Sequence, residues 1–233
     1  MNASEYHPRL NFPTRAIEGS CTATMPKLER LPEDNMYQAY GIYLLESKHR
    51  LIRRLKKAYQ PSVHGHKTWK SSFLLMDYLQ HRPMAKKSRV MEVGSGWGPG
   101  AIFCAKRFKA KVTAVDIDRE VFPFLDVLAE LNDVKVAPLV SRFEKLSSKQ
   151  LGKQDVIVGS DVCFWDSMVK PLSQLINRSM NAGVKRLIIT DPGRPTFYEL
   201  CDAASKKHKV ELNEWYATEP DYVTGEVVEI RPS

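Results

Sequence analysis

The chain has 233 residues, 43% of them hydrophobic and 27% charged, with 35 lysines and arginines against 27 acids. That length suits one α/β core with an extension, and no apolar run approaches a membrane span. The start, Met-Asn-Ala-Ser-Glu-Tyr-His-Pro, lacks the basic-then-apolar pattern of a secretory signal, and Cys21, Cys104, Cys163 and Cys201 are scattered with no Cys-x-x-Cys pair. Reduced thiols in a soluble cytoplasmic protein fit better than disulfides or a zinc site.

Residues 1–35 hold Pro8, Pro13, Pro26 and Pro32 with little periodicity, which predicts an arm or irregular cap. From Asn35 to about Tyr59 the apolar positions Tyr40, Ile42, Tyr43, Leu44, Leu51, Ile52 and Leu55 predict a helix. Its second half carries Lys48, Arg50, Arg53, Arg54, Lys56 and Lys57. Such a run is either a solvated face over the core or a docking surface for an acidic protein, nucleic acid or membrane. The net charge of +8 permits all of these. Residues 1–60 therefore read as an extension and residues 61–233 as the main domain. His64 and His66 have His-x-His spacing without an evident third ligand, which favours a polar loop over a metal site. A helix follows over Phe73–Leu79, with Trp69 at its mouth.

The stretch Arg-Val-Met-Glu-Val-Gly-Ser-Gly-Trp-Gly-Pro-Gly, residues 89–100, is the strongest signal in the chain. An apolar run ends in Glu92 and Val93, glycines fall at 94, 96, 98 and 100, and a helical pattern begins at once. That is a strand, a tight turn and a helix, with glycines where the turn visits positive φ and where a ligand lies against bare backbone. A second run, Lys-Val-Thr-Ala-Val, ends in Asp116, placing a carboxylate beside the glycine loop within reach of ribose hydroxyls. Glycine spacing alone also fits a dinucleotide. Glu92 argues otherwise, because a carboxylate before the first glycine opposes a pyrophosphate at the helix N-terminus. A sulfonium and an ammonium, as in S-adenosyl-L-methionine, suit it.

Asp118 predicts a cap for a helix through Leu131, followed by a weak strand at Val134–Pro138. Asp155–Ser160 predicts a strand, Asp166–Asn181 a helix, and Arg186–Thr190 a strand ended by Asp-Pro-Gly-Arg-Pro. A helix over Thr196–Lys207 precedes two strands, Val210–Ala217 and Tyr222–Ile230, with no helix between them. Two such strands are antiparallel.

These motifs resemble the class I (seven-strand) S-adenosylmethionine-dependent methyltransferases, whose first motif is an acid followed by Gly-x-Gly-x-Gly. Glu92, Gly94, Gly96 and Gly98 match it position by position. The resemblance implies a Rossmann-like, seven-stranded, mostly parallel α/β sheet closing in an antiparallel hairpin. Trp69, Ser72, Leu75, Tyr78 and Leu79, with Asp161-x-x-Phe164, are similar to motifs of the seven-strand protein-lysine methyltransferases. Asp191-Pro192-Gly193-Arg194 resembles the group that includes the electron-transfer flavoprotein β-subunit lysine methyltransferase and its bacterial relatives. The likeness covers about Gly65 to Ser233.

What this resemblance implies for the site is specific. Asp161 meets the incoming amine and Phe164 lines its channel, with Trp165 beside it. Trp69, Glu92, Gly94, Ser95, Gly96, Gly98, Asp116, Ile117, Arg142, Phe143 and Ser160 hold the cofactor. Arg142 stands where an acid often meets the adenine amino group, which leaves that contact to backbone near Phe143 or to Glu144. Asp161 also has a plain alternative as a turn cap, as do Asp191 and Arg194. The segment at Ser160–Asp166 lacks the (Asn/Asp/Ser)-Pro-Pro-aromatic element of base-modifying enzymes, which argues against nucleic acid as substrate. The expected acceptor is a protein lysine, with an acidic protein among the candidate partners, and no metal and no membrane. A small amine, or a non-catalytic binding role for the fold, stand as alternatives.

Overall fold

A computed structural model describes residues 33–62 and 64–233. The expected N-terminal arm up to Pro32, and Cys21, lie outside the described residues. The described residues form one compact unit.

The described chain opens with a hairpin, β1 (Met36–Ala39) and β2 (Ile42–Leu45), then α1 (Arg50–Ala58) and α2 (Ser71–His81). One helix over Asn35–Tyr59 was expected, and only its second half is helical. Tyr40 and Gly41 take φ of 50° and 77°, and Ala39 faces Ile42 in register. A two-residue loop with both central φ positive is the hairpin turn that matches strand twist. The Asn132 side chain completes the hairpin: its Oδ1 accepts from Tyr43 N and its Nδ2 donates to Tyr43 O, both at 2.8 Å. That amide stands in for a third strand, which an isolated hairpin needs. His49 then caps α1, its ring accepting from Leu51 N.

Beyond α2 the elements alternate: β3 (Arg89–Val93), α3 (Pro99–Phe108), β4 (Lys111–Asp116), α4 (Phe122–Leu131), β5 (Val136–Val140) and a short α5 (Ser148–Leu151). Then come β6 (Val156–Ser160), α6 (Asp166–Asn181), β7 (Arg186–Asp191), α7 (Pro195–Ser205), β8 (Lys209–Ala217) and β9 (Val223–Arg231). The seven-stranded sheet has the order β5-β4-β3-β6-β7-β9-β8. The first five strands in that order pair in parallel, and β9 runs antiparallel to both β7 and β8. The expected sheet and its closing hairpin are present. β5 lies two residues later than expected, because its pairing with β4, not its weak apolar pattern, sets its register.

Two apolar layers sandwich the sheet. One joins α2, α3, α4 and the N-terminal hairpin through residues such as Tyr78, Phe103 and Phe124. The other joins α6 and α7 through Leu172, Ile176 and Phe197. Cys104, Cys163 and Cys201 are buried free thiols, and no described helix is long and apolar enough to cross a membrane. The chain winds away from β3 in both directions, so a crevice opens beyond the carboxyl ends of β3 and β6.

Tyr40 locks the hairpin to the rest. Its hydroxyl donates to Asp77 Oδ2 at 2.9 Å and accepts from Thr218 N and Glu219 N, tying the turn to α2 and to the loop after β8. Tyr40→Phe leaves these buried groups short of partners and should cost about 1–3 kcal/mol. A lower urea midpoint at unchanged m value is the expected result.

Candidate active site at the carboxyl edge of the sheet

The glycine loop is shaped by Glu92, the next-to-last residue of β3. This side chain is 2% exposed, and its Oε2 accepts from Ala101 N at 2.9 Å, in the first turn of α3. A Cβ on Gly100 would fall 2.4 Å from Glu92 Oε1, so any larger residue there would displace the Glu92 carboxyl. Gly98 caps α3 at φ +69°, and its Cβ would strike Leu125. Gly98 was expected to touch the cofactor; it lies outside the cavity lining and serves this turn and its packing. Gly96 differs from both: it has positive φ and open space beside its Cα. The helix N-terminus, an anion site in dinucleotide folds, is already filled by a carboxylate of the chain itself.

Asp116, at the end of β4, binds the same loop. Its Oδ2 accepts from Gly96 N at 2.9 Å and its Oδ1 from Asp118 N at 3.0 Å. Burial raises its pKa. Two adjoining chambers open here, with cavity volumes of about 120 and 90 Å³. The smaller is walled by Ser141, Arg142, Glu144 and Pro171, and shares Gly94, Asp116, Ile117, Phe143 and Met168 with the larger. Arg142 turns its Nε toward Glu144, 3.8 Å away. Arg178 of α6 clamps this wall through the carbonyls of Phe143, Glu144 and Leu146, an arrangement with no local sequence signal.

The larger chamber collects Trp69, Glu92, Gly94, Ser95, Gly96, Ser160, Asp161 and Phe164. Asp161 is 4% exposed and holds φ of +57°, a costly conformation for a residue with a Cβ and one that clusters at functional sites. Its Oδ1 lies 2.6 Å from Arg194 Nη2, while Arg194 Nη1 lies 2.6 Å from Asp191 Oδ2. Asp191 also accepts from Gly193 N and Arg194 N. The Asp-Pro-Gly-Arg stretch is thus a turn, and that turn aims Arg194 at Asp161. The guanidinium also sits 5.0 Å over the Phe164 ring.

Aromatic rings complete this chamber. His64 lies 4.8 Å from Phe164, 5.5 Å from Trp69 and 5.8 Å from Trp165, centroid to centroid. Trp69 Nε1 donates to His64 O and Trp97 Nε1 to Gly65 O, each at 2.9 Å, fixing the 64–69 segment over the glycine loop. His64 is therefore a wall residue. No group of three or more metal-ligating side chains occurs among the described residues. The sequence reading missed His64, Thr68 and Met168 as lining residues, because their roles depend on segments that meet only in the fold.

Two observations show that a polar ligand fits. Ser95 Oγ and Thr68 Oγ1 are buried without a hydrogen-bond partner, and both residues line the larger chamber. A broader trough of about 650 Å³, edged by Lys109, Lys111, Lys135 and Lys153, shares no residue with the two chambers. It lies at the amino ends of β3 and β4, away from the glycine loop.

Burial pushes the Glu92 carboxyl up to about 8, and nearby Asp116 acts in the same direction. The folded chain then keeps a proton that the unfolded chain has lost, so this group's contribution to stability falls as pH rises toward 8. Glu92→Gln cannot ionise and should lack that slope. Thermal melts from about pH 5 to about pH 9 are expected to decline more steeply for wild type than for the variant.

Solved structures share this architecture. TrmN from Thermus thermophilus aligns with a TM-score of 0.53 at 16% identity, covering 83% of this chain and 56% of that one. A precorrin-6y methyltransferase from Geobacter metallireducens aligns at 0.55 and 10% identity, covering 68% and 87%. The fold is that of the class I S-adenosylmethionine-dependent methyltransferases. Residues 48–195 match the lysine methyltransferase family, and the chain belongs to that family. The electron transfer flavoprotein beta subunit lysine methyltransferase of Mus musculus is 28% identical over 130 residues, 55% of this chain and 50% of that protein. The Homo sapiens protein is 26% identical over 130 residues, 55% and 49%. The chain spans about half the length of the curated relatives it matches. Family and fold together imply use of S-adenosylmethionine.

Proposed function

We propose that the chain is an S-adenosyl-L-methionine-dependent methyltransferase that acts on lysine side chains of a protein. The supporting observation is Asp161: a buried, left-handed carboxylate at the end of β6, bridged to Arg194 and ringed by His64, Trp69 and Phe164, next to the glycine-loop chamber. Membership of the lysine methyltransferase family supports the same acceptor.

In this reading Asp116 takes the ribose hydroxyls, Ser95 and Gly96 offer a hydroxyl and bare backbone, and Ile117, Arg142 and Phe143 frame the adenine. Glu92 and Gly94 back the methionine end, with Ser160 and Trp69 beside it. When bound, the cofactor would supply an electrophilic methyl, the S–C electron pair going to sulfur as the amine nitrogen took the methyl. The chain supplies alignment and exclusion of water. A lysine, ordinarily near pKa ~10.4, has to arrive as the neutral amine. Asp161 orients the incoming ammonium through its carboxylate. Arg194 opposes a second positive charge so close by, and the aromatic walls desolvate it, so both favour loss of the proton to water. Phe164, Trp165 and His64 tolerate the methylated cation that forms.

Isothermal titration should show binding of S-adenosylhomocysteine and none of NAD. Asp116→Ala should weaken that binding by about 1–3 kcal/mol, the cost of hydroxyls left unpaired. Tight NAD binding without response to S-adenosylhomocysteine would overturn the cofactor assignment.

Asp161→Asn should lower turnover by about a hundredfold or more, because alignment of the amine is lost. Its affinity for S-adenosylhomocysteine should stay near wild type. Arg194→Lys keeps the charge without the two-pronged geometry and should fall between. With tritiated methyl donor and cell lysate, label is expected in protein bands that hydrolyse to methyllysine. Label in small metabolites alone would move the acceptor to a free amine.

A further inference from the structure

The carboxyl edge of the sheet carries opposite charge on its two flanks. Residues 48–70 hold eight lysines and arginines and no acid, whereas residues 210–230 hold six acids and no lysine or arginine. The basic run is α1 and the segment that walls the amine chamber. The acidic run is β8, β9 and the loop between them; Glu211 is paired with Arg82, and Glu229 with Arg186 and Arg231, which leaves Glu214, Glu219, Asp221 and Glu226 without an ion pair among the described residues.

The basic flank is free to meet a partner. Arg53, Arg54, Lys57 and Lys70 are exposed, and none has an ion-pair partner among the described residues. Leu51 and Tyr59 are exposed apolar side chains at the two ends of the same helix, 39% and 37% accessible. α1 is joined to the chamber through Lys56, whose Nζ lies 5.6 Å over the Trp97 ring. Trp97 in turn donates to Gly65 O, beside the His64 wall. A partner seated on α1 therefore lies against the entrance. On the opposite flank Tyr198 donates to Glu226 at 2.8 Å, and Glu226 faces Asp191 in register, beside Arg194. Glu214 and Glu226 face each other across β8 and β9 with no cation paired to either among the described residues. A like-charged cross-strand pair is destabilising, so this flank repels anions at a cost to the sheet.

We propose that the protein substrate carries its target lysine at the border of an acidic surface. That surface docks on α1, and the β8–β9 flank repels it and so allows one orientation. This rests on the lysine-methyltransferase reading and names the kind of protein it acts on. Attraction on one side and repulsion on the other is how charge sets register and partner choice. A nucleic acid is anionic along its whole length and would meet the acidic hairpin as it crossed the chamber. A folded protein can be acidic on one side only.

The test uses the full chain and three synthetic peptides of about 20 residues, each with one central lysine. One has glutamates on one side of the lysine, one has them on both sides, and one is neutral. The one-sided peptide should show kcat/KM about tenfold above the neutral one at low ionic strength, and the advantage should vanish near 0.5 M salt, where screening is on the order of a few ångströms. The two-sided peptide should gain less. Arg53→Glu with Arg54→Glu should abolish the advantage and leave the neutral peptide unchanged. Glu214→Lys with Asp221→Lys should raise the two-sided peptide to the level of the one-sided one. Equal kcat/KM for acidic and neutral peptides, or no effect of reversing Arg53 and Arg54, would overturn the proposal. So would an RNA oligonucleotide of similar length that competes more strongly than the one-sided peptide, which would assign the surface to nucleic acid. Absence of methyl transfer to every peptide would count against the lysine acceptor instead. Fluorescence anisotropy of the labelled peptides then still decides docking: the acidic ones bind wild type and not the Arg53/Arg54 variant, or the proposal fails.

Discussion

The buried contact between Glu92 and the first turn of α3 is the constraint on which the site depends. One carboxylate oxygen takes the Ala101 amide, and the other lies where any side chain at position 100 would have to go. The strand-to-helix turn is thereby closed from within. The amide that would greet a phosphate is occupied, and the loop presents Gly94, Gly96 and the unpartnered hydroxyl of Ser95 to the cavity. Burying a carboxyl in this way is costly unless it holds its proton or meets a positive charge, and its raised pKa expresses that cost. A cofactor with a sulfonium and an ammonium is chemically suited to such a wall, and a pyrophosphate is not.

A second carboxylate system governs the other half of the crevice. Arg194 bridges Asp161 on β6's trailing end and Asp191 on β7, so the two strand ends share one cation. Removing Arg194 would leave two buried carboxylates uncompensated, which is why such a triad positions side chains firmly even where its net stabilisation is small. Because β3 and β4 lie on one side of the winding reversal and β6 and β7 on the other, the glycine loop and the Asp161–Arg194 pair adjoin in one crevice. The segment at 64–69 lines the crevice, pinned by the indoles of Trp69 and Trp97. Function and sheet order are thus the same fact viewed at two scales.

Local chemistry settled much of this in advance. A strand ending in an acid, four glycines at alternate positions and an acid at the end of the next strand specify a nucleoside-type crevice, because positive φ, bare backbone and hydroxyl acceptors are short-range requirements. The helix at Asp166–Asn181 was legible in its period, and the closing hairpin in two strands with no helix between them. The pairing of Asp161 with Arg194 spans 33 positions, and the Asn132 clamp on Tyr43 spans 89. Neither leaves a pattern along the chain. The hairpin at Met36–Leu45 was hidden for that reason: its apolar residues look helical until Asn132 supplies the missing strand edge. The tertiary structure alone decided which hydroxyls lack partners, which glycines face a ligand and which only make room. Those properties belong to distances between segments, and sequence periodicity carries no information about them.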